Sequence, residues 1–179
     1  METIALFGGS FDPPHIGHKA IVEALLKKEY IDKIVVIPTF LNPFKSSSYA
    51  SGNLRLKWLK TIFKDFKNVE INDYEVQQNR AVTSLETVKY LQKRYKKIYL
   101  VIGADNLSSL KNWKNFNELE QLVTFIVASR NDINIPNRFI HLNIDEEISS
   151  SKLRKDMQIS KIPKECAVEI KKYYKEKNE

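Results

Sequence analysis

The chain has 179 residues, of which 42% are hydrophobic and 11% aromatic, so a disordered chain is excluded and one domain over residues 1–179 is expected. Its one cysteine, Cys166, excludes an internal disulfide and a cysteine-based zinc site, and no apolar run reaches the ~20 residues of a membrane span. The formal net charge of +7 favours an anionic partner, either nucleic acid or a phosphorylated small molecule.

Apolar runs that are typical of buried strands alternate along the chain with helical patterns. Residues 3–7 form the first run, which ends at Gly8-Gly9, and a helical pattern follows from His15. The same patterns predict further strands at residues 33–37, 69–71, 98–102 and 124–128, and helices within residues 58–66, 85–95 and 119–122.

Strands that alternate with helices predict βαβ units, and therefore an open parallel sheet with helices on both faces. Such sheets bind ligands at the carboxyl ends of their strands, so the loops after Phe7 and after Ile102 are the first candidates for a functional site. Residues 161–179 mix lysines with glutamates, and we interpret them as a solvated helix face rather than a nucleic-acid-binding arm.

Residues 8–18 combine glycines, histidines and a helix start. The five glycines of the chain cannot form GxGxxG, and GxxxxGK[ST] does not occur, so neither the dinucleotide fingerprint nor the P-loop is present. Gly8-Gly9 lets a ligand approach the backbone closely, while His15 and His18 share one helix face beside Gly17. Imidazoles at a helix N-terminus suit a phosphate, and zinc is disfavoured because no third histidine or cysteine is positioned nearby.

The same residues, Gly-Gly-Ser-Phe-Asp-Pro-Pro-His-Ile-Gly-His, resemble the signature GGxFDPxHxGH of a nucleotidyltransferase family. Within that family they are most similar to the bacterial nicotinate-nucleotide adenylyltransferases. The resemblance implies a single-domain, Rossmann-like α/β fold that extends over nearly the whole chain. It also implies ATP binding by Gly8, Gly9, Ser10 and Phe11, and catalytic roles for His15 and His18.

A second segment, residues 148–154 (Ile-Ser-Ser-Ser-Lys-Leu-Arg), resembles the family motif ISSTxIR, which contacts the ATP phosphates from a helix start. Serines are good N-caps, and hydroxyls, free N–H groups and a guanidinium together suit a polyphosphate. A plain helix cap is the alternative interpretation of this segment taken alone. The resemblance implies ATP binding by Ser149, Ser150 and Ser151 and a catalytic role for Arg154.

Three looser matches extend the expected site. Gly103-Ala104-Asp105 resembles the family's GxD, whose acidic residue lies near ribose hydroxyls, and Asn42-Pro43-Phe44-Lys45 resembles the PPHK loop, whose lysine reaches phosphates. Each match has a structural alternative: Asp105 could cap a loop, Lys45 could be an ordinary surface lysine, and Trp113 could pack in the core. The resemblance implies ATP binding by Gly103 and Asp105, catalysis by Lys45, acceptor binding by Asn42, a position near the pyridine ring for Trp113, and a further site arginine in Arg130.

The segment expected to bind the acceptor departs from the family pattern. Relatives often carry RxxxSYTxxTL, which helps to recognise the nicotinate carboxylate, whereas this chain has Thr83 in place of the tyrosine, and Arg80 is out of register. Ser84 can stand for the threonine of the motif. Two backbone N–H groups around Thr83 and Ser84, at the start of the following helix, are predicted to bind a carboxylate.

The resemblance implies adenylyl transfer from ATP to nicotinate mononucleotide, which gives nicotinate adenine dinucleotide and pyrophosphate in NAD biosynthesis. Mg²⁺ is expected to arrive with ATP, because no carboxylate cluster is dedicated to a metal. We expect these small-molecule substrates, no nucleic-acid or membrane partner and a cytoplasmic location, while the oligomeric state stays open. The alternatives are transfer to nicotinamide mononucleotide or phosphopantetheine and, from another class, a non-catalytic nucleotide- or RNA-binding module that only the basic charge favours.

Overall fold

Parallel strands form one open sheet in the computed structural model, which describes residues 1–129, 133–146 and 148–179. In chain order the strands are β1 (Thr3–Gly9), β2 (Lys33–Pro38), β3 (Val69–Ile71), β4 (Lys97–Gly103), β5 (Thr124–Ala128) and β6 (Ile140–Leu142). They lie in the order β3-β2-β1-β4-β5-β6, and each neighbouring pair is parallel. The predicted Rossmann-like α/β class is therefore confirmed.

Helices cover both faces of the sheet. Polar caps mark where several of them begin: the Ser51 hydroxyl accepts from the N–H of Leu54, and the Ser149 hydroxyl accepts from the N–H of Lys152. None of the helices in the described residues is long and apolar enough to cross a membrane. The α-helices of that part are α1 (Ile16–Leu26), α2 (Gly52–Ile62), α3 (Tyr74–Gln77), α4 (Ser84–Leu91), α5 (Phe116–Leu122), α6 (Ser150–Lys155) and α7 (Ala167–Asn178).

The sheet separates two hydrophobic cores, because successive side chains of a strand point to opposite faces. On β1, Ala5 and Phe7 enter one core, whereas Ile4 and Leu6 enter the other. The first core also contains side chains of α1, α2 and α7, and the second contains side chains of α4 and α5. Burial on both faces explains why the predicted strands are continuous apolar runs.

The order of the strands changes direction between β1 and β4. From β1 the chain builds β2 and β3 on one side, and it then crosses to build β4, β5 and β6 on the other. A crevice forms at such a switch point, outside the carboxyl ends of the two central strands. Gly8-Gly9 ends β1 and Gly103 ends β4, so the two loops that the sequence indicates meet at this crevice.

Four features differ from the sequence prediction. Helix α2 spans Gly52–Ile62, whereas the apolar pattern predicted a helix within residues 58–66. Helix α3 and strand β6 were not predicted, because four and three residues are too few to show a helical or strand period. Helix α7 presents exposed lysines, as expected of a solvated face, but its other face is buried. Ile170 and Tyr174 on that face are 0% and 1% exposed and belong to the first core.

Candidate active site

A cavity of about 490 Å³ opens at the carboxyl ends of β1 and β4. Residues 8–11 with His15 and His18 form one side, which we call the β1 wall, and Glu75 with residues 82–84 forms another, the α4 wall. The structure brings most of the predicted site residues together here: Gly8, Gly9, Ser10, Phe11, His15, His18, Asn42, Lys45, Thr83, Ser84, Gly103, Asp105, Trp113, Ser149, Ser150 and Ser151.

His15 and His18 stack on each other at the start of α1, with ring centroids 3.6 Å apart and planes inclined by 20°. His15 is the N-cap, and its Nδ1 accepts from the N–H of Gly17 at 3.1 Å. The Nδ1 of His18 accepts from the N–H of His15 at 3.1 Å. A neutral imidazole that accepts at Nδ1 carries its hydrogen on Nε2. The capping geometry therefore selects the Nε2–H tautomer of both rings.

Gly17 and Phe11 support this histidine pair. A Cβ atom on Gly17 would lie 3.0 Å from Cε1 and Nδ1 of His15, so a side chain there would disturb the cap. The Phe11 ring is 2% exposed and packs edge-on against His18, with centroids 4.7 Å apart. Its φ of 48° is uncommon for a bulky residue, which indicates that the surrounding packing holds this loop. The predicted ATP contact of Phe11 stays a prediction.

A buried carboxylate, Asp12, holds the β1 wall from behind. Its Oδ2 accepts from the N–H of Tyr49 at 2.7 Å, and its Oδ1 accepts from the N–H of Ala50 at 3.0 Å. The hydroxyl of Tyr174 on α7 also donates to Oδ1. Burial, together with the Asp12 charge, raises the pKa of Tyr174, so this hydroxyl remains a donor. One side chain thus connects the loop after β1 to the start of α2 and to α7.

Arg55 of α2 is a second buried charge behind the β1 wall, with 0% of its surface exposed. Its guanidinium donates to the carbonyls of Ala50, Ser10 and Phe40 at 3.0, 2.6 and 3.1 Å. Burial lowers the pKa of Arg55. The sequence prediction missed this residue, although a signal was present: Arg55 lies four positions before Leu59, on the helix face predicted to be apolar.

Helix α6 begins where the sequence predicted and packs on the loop after β1. Ser149 is its N-cap, and the Ser150 hydroxyl donates to the carbonyl of Pro13 at 2.9 Å. The cap and this contact place Ser149, Ser150 and Ser151 on the cavity surface. The first N–H groups of a helix have no intrahelical partner, so this helix start adds donors to the cavity beside the β1 wall.

Arg154 lines a neighbouring cleft of about 50 Å³ rather than the main cavity. Its Nη1 donates to the carbonyl of Asp12 at 2.6 Å, and its guanidinium lies 4.2 Å from the ring centroid of Tyr49. The cleft adjoins the cavity because Ser10 and Lys45 line both. Arg154 therefore borders the site next to Lys45 and also tethers the loop after β1.

The segment with Lys45 is a turn that Asn42 organises. The Oδ1 of Asn42 accepts from the N–H of Phe44 at 2.9 Å, and its carbonyl accepts from the N–H of Lys45 at 2.9 Å. Lys45 and Phe44 are exposed on the cavity rim. The structure gives Asn42 a role in shaping the turn, and its predicted contact with the acceptor stays a prediction.

The end of β4 places Asp105 on the cavity beside Gly103, where a side chain would force the Asp105 carboxylate to move. A Cβ atom on Gly103 would lie 2.5 Å from Oδ1 of Asp105, closer than real Cβ atoms come. The Asn106 side chain donates to the Gly103 carbonyl at 3.2 Å and closes the short 3₁₀ turn Ala104–Asn106. Gly103 is thus needed for the position of this carboxylate.

The start of α4 is a capping box between Thr83 and Glu86. The Thr83 hydroxyl accepts from the N–H of Glu86 at 3.3 Å, and Oε2 of Glu86 accepts from the N–H of Thr83 at 2.8 Å. Glu86 also pairs with Arg80 at 3.0 Å. The expectation that the Thr83 N–H binds a carboxylate is corrected, because Glu86 already occupies it. The N–H groups of Ser84 and Leu85 lie in the first turn of α4, where backbone donors have no intrahelical partner, and the predicted binding of a carboxylate at this helix start stays a prediction.

Oε2 of Glu75 and Nε1 of Trp113 are buried beside the cavity, and neither atom has a hydrogen-bond partner within the described part of the chain. Glu75 is 6% exposed, and its Oε1 accepts from the Thr87 hydroxyl at 2.6 Å. Burial raises the pKa of Glu75 to about 7. Buried polar atoms without partners are rare, so both mark places where a ligand can supply the partner.

Within residues 1–129, 133–146 and 148–179, no three His, Cys, Asp or Glu side chains come together as a metal site. Asp105 and Glu146 both line the cavity, but they come from separate segments. That any Mg²⁺ arrives with the nucleotide stays a prediction. Arg130, the remaining predicted residue, lies outside the described residues.

Comparison with known proteins first identifies the protein family to which the chain belongs. The family model described as cytidylyltransferase-like matches residues 6–156, which is most of the chain. A solved structure of Plasmodium falciparum nicotinic acid mononucleotide adenylyltransferase complexed with NaAD is similar in fold, with a TM-score of 0.78 at 21% sequence identity. The similarity covers 99% of this chain and 97% of that one. At this identity it shows the fold alone.

Curated relatives then narrow the class. A probable nicotinate-nucleotide adenylyltransferase of Sulfurimonas denitrificans is 62% identical over 178 residues, which cover 99% of this chain and 98% of that protein. Another from Campylobacter fetus is 48% identical over 178 residues, with 98% of each chain covered. The chain belongs to the cytidylyltransferase-like family and, within it, to the nicotinate-nucleotide adenylyltransferases.

Proposed function

We propose that this protein transfers the adenylyl group of ATP to nicotinate mononucleotide in NAD biosynthesis, releasing nicotinate adenine dinucleotide and pyrophosphate. The observation that carries the proposal is the stacked pair His15 and His18, held as Nε2–H tautomers on the wall of the cavity between β1 and β4. Relatives that share almost the full length of the chain carry the name of this activity.

The reaction needs no protein nucleophile, because the phosphate of the acceptor is already ionised. One of its oxygens attacks the α-phosphorus of ATP in line, a new P–O bond forms, and the bond to the departing pyrophosphate breaks. Negative charge on the transferring group is stabilised by the Nε2–H donors of His15 and His18 and by the cation of Lys45. Catalysis consists of positioning and charge stabilisation.

ATP binds along the β1 wall in this proposal. Gly8 and Gly9 let the nucleotide approach the backbone, and the start of α6 with Arg154 binds the β- and γ-phosphates. Asp105 accepts hydrogen bonds from the ribose hydroxyls. The position of Arg154 in a cleft that adjoins the cavity at Lys45 supports this direction for the triphosphate.

Mg²⁺ enters the proposal as part of the substrate. Such ions often bind through one or two carboxylates plus the substrate phosphates, and the cavity offers Asp105 and Glu146 as separate carboxylates. The chemistry that Mg²⁺ supplies is neutralisation of charge on the triphosphate. A cytoplasmic location also belongs to the proposal, because ATP and mononucleotides are cytoplasmic metabolites.

The acceptor binds against the α4 wall. The N–H groups of Ser84 and Leu85 at the positive end of α4 attract the nicotinate carboxylate, and Trp113 offers an aromatic surface for the pyridine ring. A carboxamide would turn its NH₂ toward an N–H group and leave a polar group unpaired, at a cost of about 1–3 kcal/mol.

The test supplies Mg·ATP together with nicotinate mononucleotide, nicotinamide mononucleotide or phosphopantetheine and measures pyrophosphate and the adenylylated product. We expect kcat/KM to favour nicotinate mononucleotide over the amide by at least roughly 10²-fold. Equal rates, or a preference for the amide, would contradict the acceptor assignment and leave adenylyl transfer standing. No pyrophosphate with any acceptor, combined with salt-dependent RNA binding, would favour the binding module instead.

A further inference from the structure

Glu75 is a buried carboxyl group on the α4 wall that the reaction described above does not use. It is 6% exposed and lines the cavity together with Thr83 and Ser84. Oε1 accepts from the hydroxyl of Thr87 at 2.6 Å, whereas Oε2 is buried with no hydrogen-bond partner among the described residues. A buried oxygen without a partner is normally hydrogen-bonded in the functional complex. In the proposed reaction, the ligand next to Oε2 of Glu75 is the mononucleotide that accepts the adenylyl group.

The surroundings of Glu75 favour its neutral form. Burial is the largest cause of its pKa of about 7, the Thr87 hydroxyl opposes the increase, and the charge of Glu86 adds to it. Both neighbours belong to α4, and Glu86 is itself paired with Arg80. Two further contacts of α3 are uncharged: Gly52 of α2 lies against Val76, and the titratable ring of Tyr90 on α4 stacks on Tyr74 with centroids 3.9 Å apart. Charged or titratable side chains elsewhere on the cavity are His15, His18, Lys45, Asp105, Lys114 and Glu146.

We propose, on the basis of the function proposed above, that Glu75 is a specificity-determining residue that distinguishes the acid from the amide on the pyridine ring of the acceptor. When Glu75 is protonated, Oε2 carries the hydrogen and donates it to the ring carboxylate. When Glu75 is ionised, it repels that carboxylate and accepts from the NH₂ of a carboxamide. The preference for the acid thus depends on the protonation state of one side chain.

This role has a measurable consequence for pH dependence. A bound carboxylate stabilises the neutral form of Glu75, so the complex takes up a proton when the free side chain is ionised. The affinity for nicotinate mononucleotide relative to nicotinamide mononucleotide should therefore fall above about pH 7, by on the order of tenfold per pH unit at the limit. The phosphate and ribose are common to both ligands, so titration of these groups, or of groups that contact them, cancels in the ratio.

The experiment measures the KM of nicotinate mononucleotide and the inhibition constant of nicotinamide mononucleotide from about pH 6 to about pH 8.5. It uses the wild type, Glu75→Gln and the control Glu120→Gln, which changes an exposed glutamate of α5. Gln keeps an oxygen for Thr87 and places an NH₂ donor at the position of protonated Oε2. We expect the affinity ratio to fall about tenfold between about pH 7 and pH 8 in the wild type and the control, and to stay constant in Glu75→Gln.

Thr87→Val provides a second, independent variant. It removes the hydroxyl that lowers the pKa of Glu75, so the midpoint of the pH-dependent ratio should move to higher pH. A wild-type ratio that does not change with pH overturns the proposal, as does a folded Glu75→Gln that follows the wild-type curve or a Thr87→Val midpoint that does not move. If ATP and nicotinate mononucleotide give no dinucleotide, the proposed function fails by itself. Calorimetric affinities of the two mononucleotides at the same pH values then still decide the role of Glu75.

Discussion

The two walls of the cavity differ in how the buried charged groups next to them are hydrogen-bonded. Behind the β1 wall, Asp12 accepts from two backbone N–H groups and from Tyr174, and Arg55 donates to three carbonyls. On the α4 wall, Oε2 of Glu75 is buried without a partner among the described residues. The β1 wall is thus fixed before a ligand arrives, whereas the α4 wall presents a polar atom that a ligand has to pair.

This difference suits the two tasks of the proposed reaction. Stabilising a charged transition state requires donors that are already in position, which a network of buried hydrogen bonds provides. Selecting one acceptor over another depends on the penalty for a polar atom left unpaired by the wrong ligand. Changes to the β1 wall should therefore lower turnover with little effect on acceptor preference, and changes to the α4 wall should do the reverse.

The substitution His18→Ala tests the β1 wall and should have the largest effect. Loss of its Nε2–H donor removes stabilisation of the transition state, so turnover should fall by ~10²–10⁴-fold while the Kd for ATP changes by less than about tenfold. Acceptor preference should stay close to that of the wild type. His141→Ala, at an exposed position on β6, is the matched control for steady-state rates and ATP calorimetry. A folded His18→Ala with near wild-type turnover would remove this side chain from the mechanism.

The substitution Glu75→Gln tests the α4 wall through the pH dependence of the free energy of unfolding. Burial raises the pKa of Glu75 from 4.5 to about 7. The favourable contribution of this side chain to the free energy of unfolding is therefore complete below about pH 4.5 and is lost as pH rises through about 7. The free energy of unfolding of the wild type relative to Glu75→Gln should fall over that interval by up to roughly 3 kcal/mol. Urea unfolding at about pH 4.5, 6 and 8 measures it. A constant difference between the two proteins would contradict the buried, neutral carboxyl.

The β1 wall was predictable from sequence because most of its residues are contiguous. Gly8, Gly9, His15 and His18 follow directly from a buried strand, and strand ends and helix starts are local signals. The contact that holds this wall was not predictable in the same way. Tyr174 and Asp12 are 162 positions apart, and no local pattern connects them. Long-range polar contacts of this kind become visible only when the fold is known.

On the α4 wall, the supporting contact could be predicted from the sequence, whereas the buried residue that lines the cavity could not. Helix α3 has four residues, too few for a helical period, so nothing in the sequence indicated that Glu75 is buried. The capping box was within reach, because Thr83 and Glu86 have the spacing S/T-x-x-E that predicts one. Using that signal would have assigned the N–H of Thr83 to Glu86 and moved the expected carboxylate contact to the first turn of α4.

The substitution Arg154→Ala examines a residue that tethers the loop after β1 but lines the neighbouring cleft rather than the cavity. If it binds the β- and γ-phosphates, the loss of a charge-assisted contact should weaken ATP by about 10–100-fold and AMP by less than about threefold. Arg154→Lys keeps the charge, so its affinity for ATP should lie between those of the wild type and Arg154→Ala. Calorimetry with both nucleotides measures the difference. An equal loss for ATP and AMP would mean that Arg154 acts only through its bond to the carbonyl of Asp12.

The smallest effect is expected for Tyr174→Phe, which removes one hydrogen bond from the network behind the β1 wall. Asp12 keeps its two backbone donors, so the free energy of unfolding should fall by about 1–2 kcal/mol rather than by the full cost of an unpaired buried charge. Tyr173→Phe is the matched control, because its hydroxyl donates to the Tyr49 carbonyl at an exposed position and should contribute less than about 0.5 kcal/mol. Urea unfolding compares the two variants, and turnover at saturating substrate reports whether the loop after β1 keeps its shape. If both variants lose the same stability, the buried bond to Asp12 is no stronger than a surface bond, and the β1 wall depends on apolar packing instead.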